Sequence, residues 1–441
     1  MMILQPVFRR SLFQKKSPAK SKLPRLTRPV TKRVLDNGLK VFLIQVKELP
    51  VVSHWIWYSV GSRDERSGET GVSHFLEHMM FKGTKKYPKG SIDLITARLG
   101  GHNNAFTSSD YTAYYFNLKS DRFEEAMKIE ASRMRDCLLD PKEFELEKKV
   151  VLEELQRGED DPWGSLFQAV EAAAYVVHPY HHPVIGWKED LERLTRDRMR
   201  DYYRRHYAPN RASLVLAGDF KQKDAMALVE KHFGKIPAGG EARGEVLHEP
   251  RQRGERRVVV RSPAKVPRLG VAWRGCTVND ADDVLLDVIN CLLSLGKSSR
   301  LYQQLVKGKE IASYAQSYNE SRMDAGLFWV IAEPKPGVEP ECLEEALLGE
   351  VERLKAEGPS AAELARIKKA VLTSFYFQME TVSDQAQRVG QYETIVKGGV
   401  RALEGYPERL RSVRPREIKE AMRKYFEEDQ RTLGWSLPEG E

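Results

Sequence analysis

The order of apolar and polar positions along the chain predicts strands and helices in alternation. Period-two alternation or short apolar runs indicate strands, whereas apolar residues three or four apart indicate helices. In the first half, four segments have the strand pattern: 33–45 (with a DNG turn), 53–62, 111–119 and 211–220. Segments 121–138 and 141–155 have helical periodicity, and Pro141 suits the first turn of the latter helix.

The second half repeats this order. Segment 266–275 corresponds to strand 53–62, and segment 363–374 corresponds to helix 143–154 at an offset of 220, with two lysines and a Val-Leu pair in register. Internal repetition of this length indicates a duplicated structural unit. We therefore predict an α+β fold of two duplicated domains, each a sheet with helices packed on one face.

Charge and composition divide the chain further. Residues 1–35 hold ten Lys/Arg and no acid, so the net charge of +8 leaves the remainder at −2. We predict a basic flexible arm over 1–33, a first domain over 34–233, a Gly/Pro-rich linker over 234–257 and a second domain over 258–441. The arm lacks the apolar core of a secretory signal, although it is poor in acids in the manner of a transit peptide. A solvated arm is the favoured interpretation.

Cysteine spacing and apolar run length exclude other classes. The four cysteines form no CxxC pair, which argues against a disulfide framework and against a cysteine zinc site. No apolar run reaches about 18 residues, so we expect no membrane span. Because the basic charge is confined to the arm, we expect no nucleic-acid partner; a nucleic-acid or membrane-surface binder acting through the arm is a competing hypothesis.

The segment GVSHFLEHMMFKGT (71–84) carries the candidate chemistry. On a helix, His74 and His78 lie on one face with Glu77 at its edge. The two imidazoles would supply two of the three protein ligands that a catalytic zinc site needs. The alternative is a helix that packs its apolar side and exposes the polar residues. All ten histidines lie at or before His248, so this set has no counterpart in the second half.

A third ligand is expected from the helix at 141–155. Its acids are Glu143, Glu145, Glu147, Glu153 and Glu154. An acid on a mostly apolar stripe is costly unless it is paired or bound to a metal, which favours Glu147 or Glu154. Spacing alone does not choose between these two.

The segment SHFLEHMMFKGT resembles the inverted zinc motif HxxEH of the pitrilysin-type metallopeptidases, the family of insulysin and the mitochondrial processing peptidase β subunit. The resemblance continues through GGHNNAFTSSDYTAYYF, ELEKKVVLEEL, HPYHHPVIGW and YAPNRASLVLAGDF, and is closest to the bacterial two-domain members. It implies mainly antiparallel sheets in two domains that face each other across a cavity.

The resemblance also implies roles for individual residues. It makes Glu77 the general base, and it makes Glu147 a supporting partner of the metal ligands. One Zn²⁺ per chain would be bound by His74, His78 and Glu154. An edge strand to which substrate adds would carry Asn104, Ala105, Phe106 and Thr107.

One departure from the family pattern concerns the second half. Family members that act alone or as equal partners carry an arginine and a tyrosine there that hold substrate. In segment 301–317, Tyr314 is the candidate tyrosine, whereas Val306 occupies the arginine position and the spacing is one residue longer. We therefore expect the zinc-bearing subunit of a heterodimer whose homologous zinc-less chain carries the arginine–tyrosine feature, with a homodimer as the alternative.

The predicted function is zinc-dependent endopeptidase activity on extended or unfolded peptides. The alternative is a non-catalytic peptide-binding or assembly subunit of the same fold.

The HPYHHP segment (178–183) is predicted to be a structural loop rather than a second metal site, because its prolines break regular spacing. The cytoplasm is the favoured compartment, with the periplasm and the mitochondrial matrix as alternatives.

Overall fold

A computed structural model of the chain describes residues 29–240 and 247–439. Residues 1–28 of the predicted arm and residues 241–246 of the predicted linker lie outside this range. Two boundaries differ from the sequence expectation. The first strand begins at Val30, within the predicted arm, because its backbone pairs with the next strand. A strand of the second half begins at Arg256, within the predicted linker.

The first half builds a six-stranded sheet in the order β1-β2-β6-β3-β5-β4. All neighbours are antiparallel except β2 and β6, which are parallel. The strands are β1 Val30–Val34, β2 Lys40–Gln45, β3 Val51–Tyr58, β4 His102–Thr107, β5 Thr112–Lys119 and β6 Ala212–Gly218. The helices are α1 Val72–Met79, α2 Ser91–Arg98, α3 Glu124–Asp136, α4 Pro141–Asp160, α5 Pro162–Ala174, α6 Lys188–Arg193, α7 Arg196–His206 and α8 Gln222–Phe233.

The second half builds a five-stranded sheet in the order β7-β11-β8-β10-β9, with one parallel pair, β7 and β11. The strands are β7 Arg256–Ser262, β8 Arg268–Arg274, β9 Ala312–Asn319, β10 Leu327–Pro334 and β11 Arg431–Pro438. The helices are α9 Asp283–Ser294, α10 Pro340–Glu357, α11 Ala361–Phe377, α12 Val382–Ile395, α13 Val400–Ser412 and α14 Pro415–Tyr425, with a π-helix at Tyr302–Gly308. The predicted α+β fold of two mainly antiparallel sheets with helices is therefore confirmed.

The two faces of the first sheet belong to different cores, because successive strand residues point to opposite sides. Ile56 and Tyr58 of β3 pack with α1, α4, α7 and α8. Trp55 and Trp57 face the other way, into a core shared with the second half. There α12 crosses the sheet, and Gly390 approaches Trp57 so closely that a Cβ would overlap the indole.

The exchange of helices between the halves is reciprocal. Helix α5 of the first half lies on the second sheet, where Leu166 and Val170 pack with Trp329 and against Gly434 of β11. Helices on one face of each sheet were predicted, and a single helix from the opposite half covers the other face. Among residues 29–240 and 247–439, no helix is both long and apolar enough to cross a bilayer.

Candidate metal centre

The geometry of the candidate site begins with how helix α1 is held. Its apolar residues, including Phe75 and Met79, are fully buried, so its polar side is fixed in orientation. Gly71, at the N-terminus, has φ 87°, and a Cβ there would overlap the Ile185 carbonyl oxygen, so glycine is required. The Glu65 carboxylate accepts hydrogen bonds from the backbone N–H groups of Gly71 (2.7 Å) and Ser73 (2.8 Å). Glu65 was not singled out in the sequence.

The structure brings His74, His78 and Glu154 together. A ligand atom from each lies within 4.8 Å of the others, and these three form the only such metal-ligand group found in the described residues. His78 Nε2 is 3.5 Å from Glu154 Oε2, and His74 Nε2 is 3.9 Å from Glu154 Oε1. Tetrahedral ligands at zinc, about 2.1 Å from the ion, stand about 3.4 Å apart. The donor set therefore fits zinc with small adjustments.

The second nitrogen of His78 is held by Glu147. His78 Nδ1 lies 2.9 Å from Glu147 Oε1, and Lys82 Nζ lies 2.5 Å from the other carboxylate oxygen. A carboxylate on the far ring nitrogen is the usual way to orient a metal-binding histidine. Lys82 was not singled out in the sequence, and it lies three residues beyond the end of α1.

His74 is suited to metal binding in a different way. Burial, followed by the neighbouring His78, lowers the pKa of His74 to about 3. The imidazole is therefore neutral near pH 7, which is the form that binds a metal. Its Nδ1 atom is buried without a hydrogen-bond partner in the described part of the chain.

Glu77 occupies the edge of this cluster and reaches β4. Its carboxylate Oε2 accepts a hydrogen bond from Thr107 Oγ1 at 2.5 Å. Burial raises the pKa of Glu77, and the Thr107 hydrogen bond acts in the opposite direction. Strand β4 is the open edge of the first sheet, and its residues Asn104, Ala105 and Phe106 pair with β5 on one side only.

Tyr314 lies away from this cluster, on β9 of the second sheet. Its ring contacts Trp163 of α5, and its hydroxyl lies 2.9 Å from that of Tyr318. Among the described residues it makes no hydrogen bond or ring contact with the histidine pair. Val306 lies in the π-helix and packs against the core that the two halves share. The i→i+5 turn of a π-helix holds one residue more than an α-helical turn, which matches the one-residue longer spacing.

The HPYHHP segment forms a loop that joins the two halves. His178 Nε2 lies 3.0 Å from Asp324 Oδ2, and the Tyr180 hydroxyl donates to Asp110 at 2.6 Å. Arg63 also reaches Asp324, at 2.6 Å. These contacts engage the loop side chains in structural hydrogen bonds, as the structural-loop interpretation expects.

Comparison with known proteins identifies the class. Residues 40–187 match the family described as Insulinase (Peptidase family M16), and residues 193–371 match the one described as Peptidase M16 inactive domain. The chain is 31% identical to the zinc protease PqqE of Helicobacter pylori over 92% of both chains. It is 27% identical to the mitochondrial-processing peptidase subunit beta of Blastocladiella emersonii, covering 81% of this chain and 78% of that one.

Structural comparison agrees with the sequence matches. The crystal structure of a protease from Helicobacter pylori superposes with a TM-score of 0.90 at 30% identity, covering 94% of this chain and all of that one. The chain belongs to the M16 peptidase family, whose two-domain fold it shares. The resemblance stated from the motifs is thereby confirmed, and the relatives named as zinc proteases support a peptidase function in general.

Proposed function

We propose that this chain is a zinc-dependent endopeptidase that hydrolyses extended peptides at the His74–His78–Glu154 cluster. The observation that carries the proposal is the convergence of two imidazoles and one carboxylate within 4.8 Å, with Glu77 beside them. Three protein ligands leave a fourth zinc position open, which distinguishes catalytic from structural zinc sites. Relatives named as zinc proteases, at up to 31% identity, support the same conclusion.

Each residue of the cluster has a chemical task. Zinc, when bound, lowers the pKa of a coordinated water to about 7 and polarises a carbonyl oxygen. Glu77 accepts a proton from the attacking water as the C–O bond forms, and it passes the proton to the leaving amine as the C–N bond breaks. Thr107 holds the Glu77 carboxylate in place by its 2.5 Å hydrogen bond. Glu147 accepts from His78 Nδ1, so Nε2 is the nitrogen of His78 that would bind zinc.

The open edge of β4 supports extended peptides as substrates. An added strand would satisfy the free backbone groups of residues 102–107, and main-chain hydrogen bonds bind peptide without strict side-chain selection. Because Thr107 ends this strand and contacts Glu77, a peptide paired with β4 would pass beside the catalytic carboxylate. Asn104, Ala105 and Phe106 are the proposed substrate-binding residues of the strand.

We further propose that the active form is a dimer. Val306 stands where the family pattern has an arginine, and Tyr314 contacts Trp163 and Tyr318 rather than the histidine pair. A partner chain that supplies the missing substrate contacts would complete the site. Relatives that are named subunits, such as the processing peptidase subunit beta, support an assembly of this kind.

The test is cleavage of a quenched fluorescent peptide long enough to lie along β4. The purified chain is assayed with zinc, with a chelator, and as Glu77→Gln. We expect the variant to retain one zinc and to lose turnover by about a hundredfold or more, since general base catalysis contributes about that much. Glu145→Gln, an exposed acid on α4, is the matched control and should retain activity.

The outcomes separate the alternatives. Cleavage that is lost with chelator and in Glu77→Gln would establish a zinc peptidase that needs no different partner chain. One bound zinc without cleavage would point to a missing partner. Absence of both zinc and cleavage would overturn the proposal and favour a non-catalytic subunit of the same fold.

A further inference from the structure

The second half contains a cavity of about 290 Å³ between helices α9, α11, α12 and α13. This volume is near the lower end of the about 300–1,000 Å³ typical of small-molecule sites. Its polar lining includes Asp283, Asp287 and Arg388, and its apolar lining includes Val371 and Phe375. None of these residues takes part in the proposed hydrolysis.

The cavity occupies the position in the second half that the metal cluster has in the first. Helix α9 repeats α1 at an offset of 213, with Gly296 in register with Gly83. At this offset the metal-cluster residues His74, Glu77 and His78 correspond to the cavity residues Asp287, Asn290 and Cys291. The offset of 220 that relates α11 to α4 places Ser374, another cavity residue, at the position of Glu154.

A hydrogen bond between the edge strand and the neighbouring helix is also present in both halves. Thr107 on the edge strand β4 donates to Glu77, and Ser317 on the edge strand β9 donates to Asn290 Oδ1 at 2.7 Å. The duplicated fold has therefore kept the architecture of the pocket while its chemistry has changed. Burial raises the pKa of Cys291 to about 12, so its thiol is neutral near pH 7 and is a poor metal ligand.

The acids of the cavity make no ion pair with a lysine or arginine of the described residues. Asp287 accepts hydrogen bonds from Asn319 (3.0 Å) and the Tyr406 hydroxyl (2.9 Å), and Asp283 Oδ1 accepts from Ser321 (2.5 Å). In the described residues, Asp283 Oδ2 has no hydrogen bond, and neither carboxylate has a Lys or Arg nitrogen within ion-pair distance. Burial raises the pKa of both carboxyls, and for Asp283 the neighbouring Asp287 adds to the effect.

The base of the cavity, Arg388, likewise makes no ion pair in the described part of the chain. The Arg388 guanidinium donates to the side-chain oxygens of Gln378 and Gln391, which are neutral amides. Across residues 29–240 and 247–439, no carboxylate lies within ion-pair distance of it. One cavity thus holds two carboxyl groups and one guanidinium, and none of them makes an ion pair within the described residues. Arg388 and Arg409 favour the ionised form of Asp287 only from a longer range. Partly buried charges without an ion-pair partner are costly.

We infer that this cavity binds a small zwitterion with an apolar side chain, the chemical class of free amino acids and dipeptides. The ligand ammonium would pair with Asp283 and Asp287, and its carboxylate would pair with Arg388. Charge-assisted hydrogen bonds at both ends compensate the unpaired groups of the protein. The Val371 and Phe375 side of the cavity receives the apolar side chain.

Calorimetric titration of the full chain with leucine and with alanyl-leucine tests the inference. The titrations include a chelator, so that a metal in the first half cannot hold the ligand carboxylate, and their result does not depend on peptidase activity. N-acetyl-leucine lacks the ammonium, and leucinamide lacks the carboxylate. We expect saturable binding of leucine, alanyl-leucine or both, and at least about tenfold weaker binding of each blocked compound, because each loses one charged contact.

Variants locate the site. Asp287→Asn and Arg388→Gln should each weaken binding by about tenfold or more, whereas Arg401→Gln, an exposed arginine on α13, should bind as the wild type does. Preferred binding of leucine over alanyl-leucine assigns the site to free amino acids, and the reverse assigns it to dipeptides. The inference is overturned if neither probe binds, if Arg388→Gln binds normally, or if blocking one end of the ligand has no effect.

Discussion

At the scale of single residues, the two histidines of the cluster differ in what holds the second ring nitrogen. Glu147 accepts from His78 Nδ1, whereas His74 Nδ1 has no partner in the described residues. Removing a carboxylate that orients a metal-binding histidine typically costs about 10–100-fold in metal affinity. We therefore expect Glu147→Gln to weaken zinc binding by about that factor, as measured by competition with a chromophoric chelator.

The same helix offers a matched control for this prediction. Glu143 lies one turn before Glu147 and pairs with Lys89 at 2.6 Å, away from the histidines. Like Glu147→Gln, the Glu143→Gln variant loses a carboxylate and an ion pair with a lysine. Because Glu143 does not contact the histidines, the variant should bind zinc as tightly as the wild type does. Equal loss of affinity in both variants would mean that the helix, rather than the contact with His78, determines the effect.

Residue spacing led to the histidine pair but could not choose its carboxylate partner. Glu147 and Glu154 are two turns apart on one face of α4, so periodicity treats them alike. In the folded chain Glu147 contacts Nδ1 of His78, whereas Glu154 lies within 3.9 Å of the Nε2 atoms of both histidines. The packing of α4 against α1 makes this distinction, and such long-range contacts leave no periodic signal in a single sequence.

At the scale of elements, the N-terminus of α1 is held by a buried acid. Burial raises the pKa of Glu65 to about 8, whereas the pKa of a glutamate in the unfolded chain is about 4.3. Between these values the folded chain binds a proton that the unfolded chain has released, so the contribution of Glu65 to stability falls as pH rises. Glu65→Gln removes this titration. The free energy of unfolding of the wild type, relative to the variant, should therefore decline from about pH 5 to about pH 8, by on the order of a few kcal/mol.

Urea unfolding followed by circular dichroism at several pH values measures this difference. Glu145→Gln, whose side chain is exposed, serves as the control and should run parallel to the wild type across the range. If the curves for wild type and Glu65→Gln are also parallel, Glu65 does not titrate between these limits and the predicted coupling is absent.

Element identity was more accessible from the sequence than element placement. The strands at 111–119 and 211–220 and the helix at 141–155 were predicted within a few residues, because alternation and periodicity are local properties. The sheet order was not predicted, since β6 inserts between β2 and β3 through pairing of distant segments. The π-helix at Tyr302–Gly308 left only a one-residue irregularity of spacing as its trace.

At the scale of the whole molecule, duplication was visible in the sequence while the exchange of helices was not. The repeat offset identified corresponding segments, but it gave no indication that α12 crosses the first sheet or that α5 lies on the second. Because Trp55 and Trp57 share one core with the second half, neither half buries its apolar surface alone. The two sheets are therefore expected to unfold as one cooperative unit.

Gly390 tests this coupling. A Cβ at Gly390 would overlap the Trp57 indole, so Gly390→Ala forces α12 away from the first sheet, and overpacking of this kind costs about 1–3 kcal/mol. Gly405→Ala is the matched control, because that helical glycine has open space around its Cβ position and alanine favours helix by up to about 1 kcal/mol. We expect a single unfolding transition in urea, at the same concentration by fluorescence and by circular dichroism. Gly390→Ala should shift this transition to a lower urea concentration, whereas Gly405→Ala should not. Separate transitions in the wild type would mean that the exchanged helices do not join the halves into one unit.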